Sequence, residues 1–486
     1  MTVLAPGLAP ADDQELTGLL AASAAAEVPD GGAALLGWLA DHDRHAAMTV
    51  HRADLAALEG WTDDPVGGRI HHRSGRFFAV EGLDVQVPGA PVEHWQQPII
   101  RQPEVGVLGI LATRIGGVLH LLMQAKVEPG NPVGHQLSPT VQATRSNYQR
   151  AHGGRAVPYL EYFLGTVPGA RTVVDVRQSE QGSWFLRKRN RNVVVEVPGG
   201  PEAVPARPGF RWCTLAEVHR ALAVTDVVNM DTRTVLSCLP LAGGALRPAG
   251  AGRPDDFRAA LLRSMLGESG GVHRTADLLS DLTVARTETD VDVGRVPLHT
   301  LQGWSRRDGA IVHDDGAYFS VVGVDVVARG REVARWSQPM FAAHGTGLVA
   351  FVVRRIGGVL HVLAALRTEP GFVDAVELAP TVQCTPENYA HRPASQRPAY
   401  LDRVLAADPD RLRFDTVMSE EGGRFHHTRT RYVVVEETGD DPDLVTGPGH
   451  RWVTLAQLSE LVRHSHYLNV QARSLLTCLH SLALCA

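Results

Sequence analysis

The chain is 486 residues long, 44% hydrophobic and 21% charged, which allows two to four domains with full cores and is ordinary for a globular protein. A formal net charge of −6 gives no reason to expect nucleic acid or an anionic membrane as partner, so basic residues that matter must cluster locally. The five cysteines, Cys213, Cys238, Cys384, Cys478 and Cys485, form no CxxC pair. They fit a reducing cytoplasm rather than a disulfide framework or a zinc site.

The N-terminus, MTVLAPGLAPADDQE, has no basic region ahead of an apolar run and does not read as a signal peptide. No stretch approaches the ~18 uninterrupted apolar residues of a membrane span. Helical pattern runs through Ala33–Ala40. Val105–Thr113 and Val118–Ala125 are β-like runs separated by Arg-Ile-Gly-Gly, which predicts a hairpin. Val193–Val195 reads as a buried strand. Thr214-Leu-Ala-Glu217 is a capping box opening an amphipathic helix, and a last helix is expected over Asp231–Leu239. A Gly/Pro-rich stretch, 243–255, reads as a flexible linker. Beyond it the pattern starts again, with a helix at Phe257–Met265, a strand at Val433–Val435, a second capping box at Thr454-Leu-Ala-Gln457 and a final helix over Gln471–Leu479.

The second half repeats the first. Arg114-Ile-Gly-Gly-Val-Leu-His120 recurs as Arg355-Ile-Gly-Gly-Val-Leu-His361, and Trp95, Glu128-Pro-Gly130, Pro139-Thr-Val-Gln142 and Asn147-Tyr148 all recur at the same offset of 241. From Trp95 to Tyr148, 23 of 54 positions are identical at that offset, too many for unrelated segments. After a one-residue gap the offset is 240, and Ser179-Glu180, Arg189-x-Arg191 and Arg211-Trp212 match their counterparts. The chain therefore divides into a first repeat, 1–242, the linker 243–255, and a second repeat, 256–486. Each repeat is predicted to be an α+β unit, a mixed, hairpin-containing sheet flanked by helices. Two copies, each long enough for its own core, suit paired domains rather than a solenoid.

Polar residues kept by both copies are the candidates for chemistry. Lys126 and Glu128, with Arg367 and Glu369, alternate on one face at the end of a strand. A cation and a carboxylate facing a cleft can hold a phosphate and move a proton; the alternative is a surface cross-strand pair. Arg189 and Arg191, with Arg429 and Arg431, share the same spacing and suit a diphosphate, or else a solvated face. Thr140, Gln142 and Tyr148, with Thr381, Gln383 and Tyr389, are candidates for the sugar or the base. Ser179-Glu180-Gln-Gly182 and Ser419-Glu420-Glu421-Gly422-Gly423 read as a polar turn in preference to a catalytic motif. His120 and His361 read as structural histidines, and the tryptophans as core anchors. There is no GxGxxG opening a helix, no P-loop, no HExxH and no GxSxG.

The sequence resembles the NDP-hexose 2,3-dehydratases of antibiotic deoxysugar biosynthesis. The resemblance rests on Glu-Pro-Gly at 128–130 and 369–371, on Leu137-Ser-Pro-Thr-Val-Gln-Ala-Thr-Arg-Ser-Asn-Tyr148, on Ser419-Glu-Glu-Gly-Gly-Arg-Phe425 and on Asn229-Met-Asp-Thr-Arg-Thr-Val-Leu-Ser-Cys238, and it spans the chain. It implies tandem Nudix-like domains, a homodimer, and a dTDP-sugar pocket with each repeat, one working and one a relic of duplication. The implied reaction is elimination of the C2 hydroxyl of dTDP-4-keto-6-deoxy-glucose, leaving a 3,4-diketo product for a 3-ketoreductase. No cofactor is expected, because the elimination needs no redox step and no nicotinamide motif is present, and no metal, because neither repeat carries the carboxylate-rich helix with which a Nudix hydrolase binds Mg²⁺. Glu420-Glu421-Gly-Gly-Arg424 lacks the Arg-Glu that should precede it, and Glu436-Glu437 follows a strand.

Such an elimination needs a base at C3, a polariser at the C4 oxygen and an acid at the C2 hydroxyl. Glu128 or Glu369 is expected as base or acid, and Lys126 or Arg367 as polariser or phosphate ligand. The first copy is favoured, since it keeps Lys126 and adds Arg145 where the second has Pro386. Two rivals remain at this level. A nucleotide-sugar diphosphohydrolase predicts Mg²⁺-dependent release of dTMP, and a non-catalytic nucleotide-sugar-binding protein predicts binding without turnover.

Overall fold

The computed structural model describes residues 13–45, 48–64, 66–149, 155–165, 167–241, 256–267, 270–329, 333–437, 446–447 and 449–484; the linker 243–255 lies outside them. The chain is of mixed α+β class. In each copy a seven-stranded sheet forms around the anticipated hairpin. In the first, Gly106–Ile115 pairs antiparallel with Val118–Lys126 through a turn in which Gly116 and Gly117 have φ of 57° and 83°, the left-handed pair that a two-residue hairpin requires. Arg189–Glu196 joins this hairpin in parallel, Arg171–Ser179 extends it antiparallel, and Phe210–Thr214 closes the other side. The second copy repeats the arrangement around Gly347–Ile356 and Val359–Thr368, with Arg429–Glu437 as the parallel strand. Val193–Val195 and Val433–Val435 are buried strand centres. Both capping boxes form, Thr214 with Glu217 and Thr454 with Gln457.

The copies are joined by more than their linker. Each has a second, five-stranded sheet, and each of these takes one strand from the other copy. Met48–Ala53 of the first copy pairs with Phe319–Ala328 of the second. Asp292–Val296 of the second pairs with Ala79–Gln86 of the first. The helices Met230–Ser237 and Val470–Leu484 pack together in a core drawn from both copies, in which Val235, Leu236, Leu475 and Leu479 are fully buried.

At the centre of that contact two arginines are 0% exposed and exchange partners. Arg233 donates to the Ser419 carbonyl at 3.0 Å and Arg473 to the Ser179 carbonyl at 2.6 Å. Each also caps a carbonyl of its own copy, Val228 or Leu468. A buried charge is tolerated only with such a full set of acceptors. The duplication also preserves strained backbone: Phe77 and Tyr318, Tyr159 and Tyr400, and Arg187 and His427 all have φ between 51° and 72°. Among the described residues no single helix is long and apolar enough to cross a membrane.

Candidate active site

The Glu-Pro-Gly loop of each copy is clasped by the polar turn of the other. Gly130 N–H donates to the Gly422 carbonyl at 2.7 Å, and the Gly130 carbonyl accepts from His427 N–H at 2.8 Å. The approach leaves no room for a side chain: a Cβ on Gly130 would lie 1.7 Å from the Phe425 carbonyl oxygen. The mirror clasp holds Gly371 N–H on Gly182 and Arg187 N–H on Gly371. The turns anticipated at Ser179 and Ser419 therefore form, and their position explains their composition. Each delivers the residue after its glutamate into the neighbouring copy.

In the first copy this builds a composite cleft of two adjoining cavities. A cavity of about 250 Å³ is lined by Trp61, Phe78, Trp336, Gln338, Glu128 and Arg424. A smaller one of about 90 Å³ is lined by Lys126, Glu128, Gln142, Lys188, Asp231 and Glu421. Glu128, Asn147, Gly423 and Arg424 belong to both, so the cleft runs from an aromatic mouth to a charged end. Lys126 Nζ lies 3.4 Å from Glu128, as the alternation of the strand required. The Gln142 amide donates to both Glu128 oxygens at 3.2 and 3.1 Å. Arg424 lies over the Phe78 ring at 4.2 Å and donates to Gln102 at 3.2 Å.

At the charged end, burial and mutual repulsion raise the pKa of three carboxyls, Asp231, Glu421 and Glu180. Burial, reinforced by Glu421, Glu180 and Glu128, holds the Asp231 carboxyl well above its usual range. Burial pushes Glu421 up to about 7, with Arg424 opposing and Glu180 and Glu128 adding. Burial likewise raises Glu180, whose side chain accepts from Asn190 at 2.7 Å. Lys188, beside them, is pushed down to about 8 by burial against the pull of Glu180 and Glu421; it donates to the Glu104 carbonyl. Opposed shifts among neighbouring titratable groups in a cleft mark a site fit for acid–base chemistry.

The second copy keeps the frame and loses four of the charges. Arg367 pairs with Glu369 at 2.8 Å, and Gln383 donates to Glu369 at 2.8 Å. The remaining Glu369 oxygen accepts from Ser183 N–H at 3.0 Å. That carboxylate side chain is 2% exposed, against 11% for Glu128. Thr428, Gln471, Gln181 and Trp184 stand where the first cleft has Lys188, Asp231, Glu421 and Arg424. Phe372 replaces Asn131 and packs against Gly182, while Trp184 packs on Phe425 at 4.5 Å.

Other candidates lie elsewhere. On the strand Arg189–Glu196, Asn190 lines the cleft, as does Lys188 just before it; side chains alternate, so Arg189 and Arg191 point to the opposite face. There Arg191 forms a bidentate pair with Asp175 at 2.7 and 2.8 Å, and Arg431 does the same with Asp415. Arg429 pairs with Asp226 of the other copy at 2.6 Å. Thr140 is buried and ties two strands, accepting from Leu111 N–H at 2.9 Å and donating to the Leu122 carbonyl; Thr381 repeats this with Val352 and Leu363. Tyr148 and Tyr389 pack on the apolar clusters beside their sheets. His120 and His361 bond to the carbonyls of Val118 and Val359. Glu436 and Glu437 lie on a strand in ion pairs with Arg355 and Arg411. Lys188, Asp231 and Arg424 escaped a search confined to residues that both copies keep. Their signal was the opposite one: charge present in one copy and absent from the other.

A family model for NDP-hexose 2,3-dehydratase matches residues 32–239 and 275–479, one stretch on each copy. A dTDP-4-dehydro-6-deoxy-alpha-D-glucopyranose 2,3-dehydratase of Saccharopolyspora spinosa is 47% identical over 92% of this chain and 90% of its own. Enzymes of the same name from Amycolatopsis orientalis and Streptomyces violaceoruber are 47% and 46% identical, each over 92% of this chain and over 89% and 96% of their own. The chain belongs to the NDP-hexose 2,3-dehydratase family.

Proposed function

We propose that the protein is a hydro-lyase that removes water across C2 and C3 of dTDP-4-keto-6-deoxy-glucose, and that the cleft of the first copy is its working site. The observation that carries this is the asymmetry of the duplication: Lys188, Asp231, Glu421 and Arg424 converge on Glu128, and all four are replaced around Glu369. Glu128 takes the C3 proton, made acidic by the C4 ketone, and the electron pair moves toward the C4 oxygen, where Lys126 and Lys188 supply positive charge. The enolate then collapses, forming the C2–C3 double bond and breaking the C2–O bond. A proton from the Asp231–Glu421 pair leaves with that hydroxyl as water. The resulting enol at C3 gains a proton at C2 and loses its hydroxyl proton, giving the 3,4-diketone with the diphosphate intact. Arg424 suits the diphosphate, and Trp61, Phe78 and Trp336 suit the thymine.

The parallel strand pair inside a helix-flanked mixed sheet in each copy supports a Nudix-like ancestry. Homodimeric assembly, a cytoplasmic setting, a place in antibiotic deoxysugar biosynthesis and consumption of the product by a 3-ketoreductase belong to the same reading. The test is turnover of dTDP-4-keto-6-deoxy-glucose without added metal, coupled to a 3-ketoreductase and NADPH, by the wild type, Glu128→Gln and Glu369→Gln. A 2,6-dideoxy nucleotide sugar from the wild type and Glu369→Gln, but not from Glu128→Gln, is the expected result. Release of dTMP, or loss of turnover only in Glu369→Gln, overturns it.

A further inference from the structure

We propose that Asn229 is a positioning residue: it sets the rotation of the Gln142 amide, and through that amide it holds the Glu128 carboxylate in its working orientation. The inference rests on the reading of Glu128 as the base.

The chain of contacts starts from a donor whose identity is not in question. Thr232 N–H, in the first turn of the helix Met230–Ser237, donates to Asn229 Oδ1 at 2.8 Å. With its oxygen engaged there, Asn229 presents its amide nitrogen to Gln142 Oε1 at 3.2 Å. With that oxygen engaged in turn, Gln142 presents Nε2 to the two oxygens of Glu128. Each amide has one acceptor end and one donor end, so each orientation dictates the next. The helix that starts the chain also carries Asp231, so one side chain ties the base to the acid across the cleft. The second copy holds an independent instance. Ala472 N–H donates to Asn469 at 2.9 Å, Asn469 to Gln383 at 2.7 Å, and Gln383 to Glu369 at 2.8 Å.

Asn229→Asp separates the two duties of the residue. Aspartate caps a helix as well as asparagine does, so the helix keeps its first turn, but it has no N–H to offer Gln142. Its carboxylate facing Gln142 Oε1 turns the amide over, and Gln142 then sets an oxygen against Glu128. Lys126 faces Glu128 from its own strand, Lys188 from the residue before the neighbouring strand, Asp231 from the helix, and Glu421 and Arg424 from the turn of the other copy; none of these residues is replaced, and the charge that the aspartate adds acts in the same direction as the turned amide. A carboxylate that loses two donors and gains a facing oxygen binds its proton more tightly.

The measurement is the pH profile of kcat/KM, with thermal unfolding alongside, for the wild type, Asn229→Asp, Asn469→Asp and Glu128→Gln. The acid limb is expected to move up by about one pH unit in Asn229→Asp, a tenfold loss on the acid side, and to stay in place in Asn469→Asp, with thermal unfolding showing that both variants are folded at the assay temperature. An unshifted Asn229→Asp profile beside an inactive Glu128→Gln overturns the role of Asn229 alone. An active Glu128→Gln overturns the reading of the base, and this inference with it. If Asn229→Asp fails to fold, Asn229→Ser keeps a capping oxygen without the amide. Lower kcat at unchanged KM in that variant supports the role, and wild-type kcat overturns it.

Discussion

Replacing Glu421 with glutamine should stabilise the protein and inactivate it at once. The carboxyl is raised from 4.5 to about 7, first by burial and then by the neighbouring carboxylates. Between those two pH values the folded state holds a proton that the unfolded state has released. Stability therefore falls as pH rises through that window and stays low above it. At 1.36 kcal/mol per unit, the burden at pH 8 is on the order of 3 kcal/mol, and it is absent near pH 4.5. Glutamine has nearly the same shape and cannot ionise. Urea unfolding followed by circular dichroism, at pH 5 and pH 8, should show Glu421→Gln close to the wild type at the lower pH and on the order of 3 kcal/mol more stable at the higher. Turnover should be lost at both, the usual exchange of stability against a strained active site. Equal gains at the two pH values, or a loss at pH 8, would refute the argument from charge, and retained turnover would remove Glu421 from the acid pair.

Three further outcomes follow from the packing. Gly130→Ala places a methyl group 1.7 Å from the Phe425 oxygen and breaks the clasp; about 2 kcal/mol of stability from two lost hydrogen bonds and roughly 100-fold in kcat should go together, as read by thermal unfolding and steady-state kinetics. Thr140→Val strands the Leu111 N–H in the sheet, so about 1–3 kcal/mol should be lost with KM unchanged; a raised KM at full stability would instead put Thr140 on the sugar. Arg191→Ala removes a half-exposed pair with Asp175 and a hydrogen bond to the Phe163 carbonyl, and should cost about 1–2 kcal/mol without changing KM, whereas a tenfold rise in KM would return that arginine to the diphosphate.

Local rules carried the sequence reading a long way. The Gly-Gly hairpin, the two capping boxes, the buried valine strands and the Lys126–Glu128 pair all depend on neighbours within a few residues, and all formed. The candidates that lie away from the proposed cleft do so for one reason: a contact made between distant segments. Arg189 and Arg191 carry the right charge in the wrong phase, because the strand turns Lys188 and Asn190 toward the cleft, and only the packing of the sheet decides that phase. Thr140 reads as a sugar ligand until its hydroxyl is seen bridging two strands. Glu421 and Arg424 sit some three hundred residues from Glu128 in the sequence, and no spacing rule brings them together. Comparison of the copies could have found them. Similarity between the repeats marks the shared frame, and the charges of Lys188, Asp231, Glu421 and Arg424, each lost in the other copy, are among the places where the copies have diverged.

The traded strands also bear on how the chain is made. A sheet that borrows its edge from downstream cannot close when its own residues leave the ribosome. Ala79–Gln86 must wait for Asp292–Val296, an interval of tens of seconds at roughly 5–20 residues per second. For that time the nascent first half carries an open strand edge, the feature by which unfinished proteins pair with one another. Met48–Ala53 is made early and waits for Phe319–Ala328, so both sheets complete late and nearly together. Either half made alone would keep its gap, and two first halves on one messenger would have matching gaps to fill.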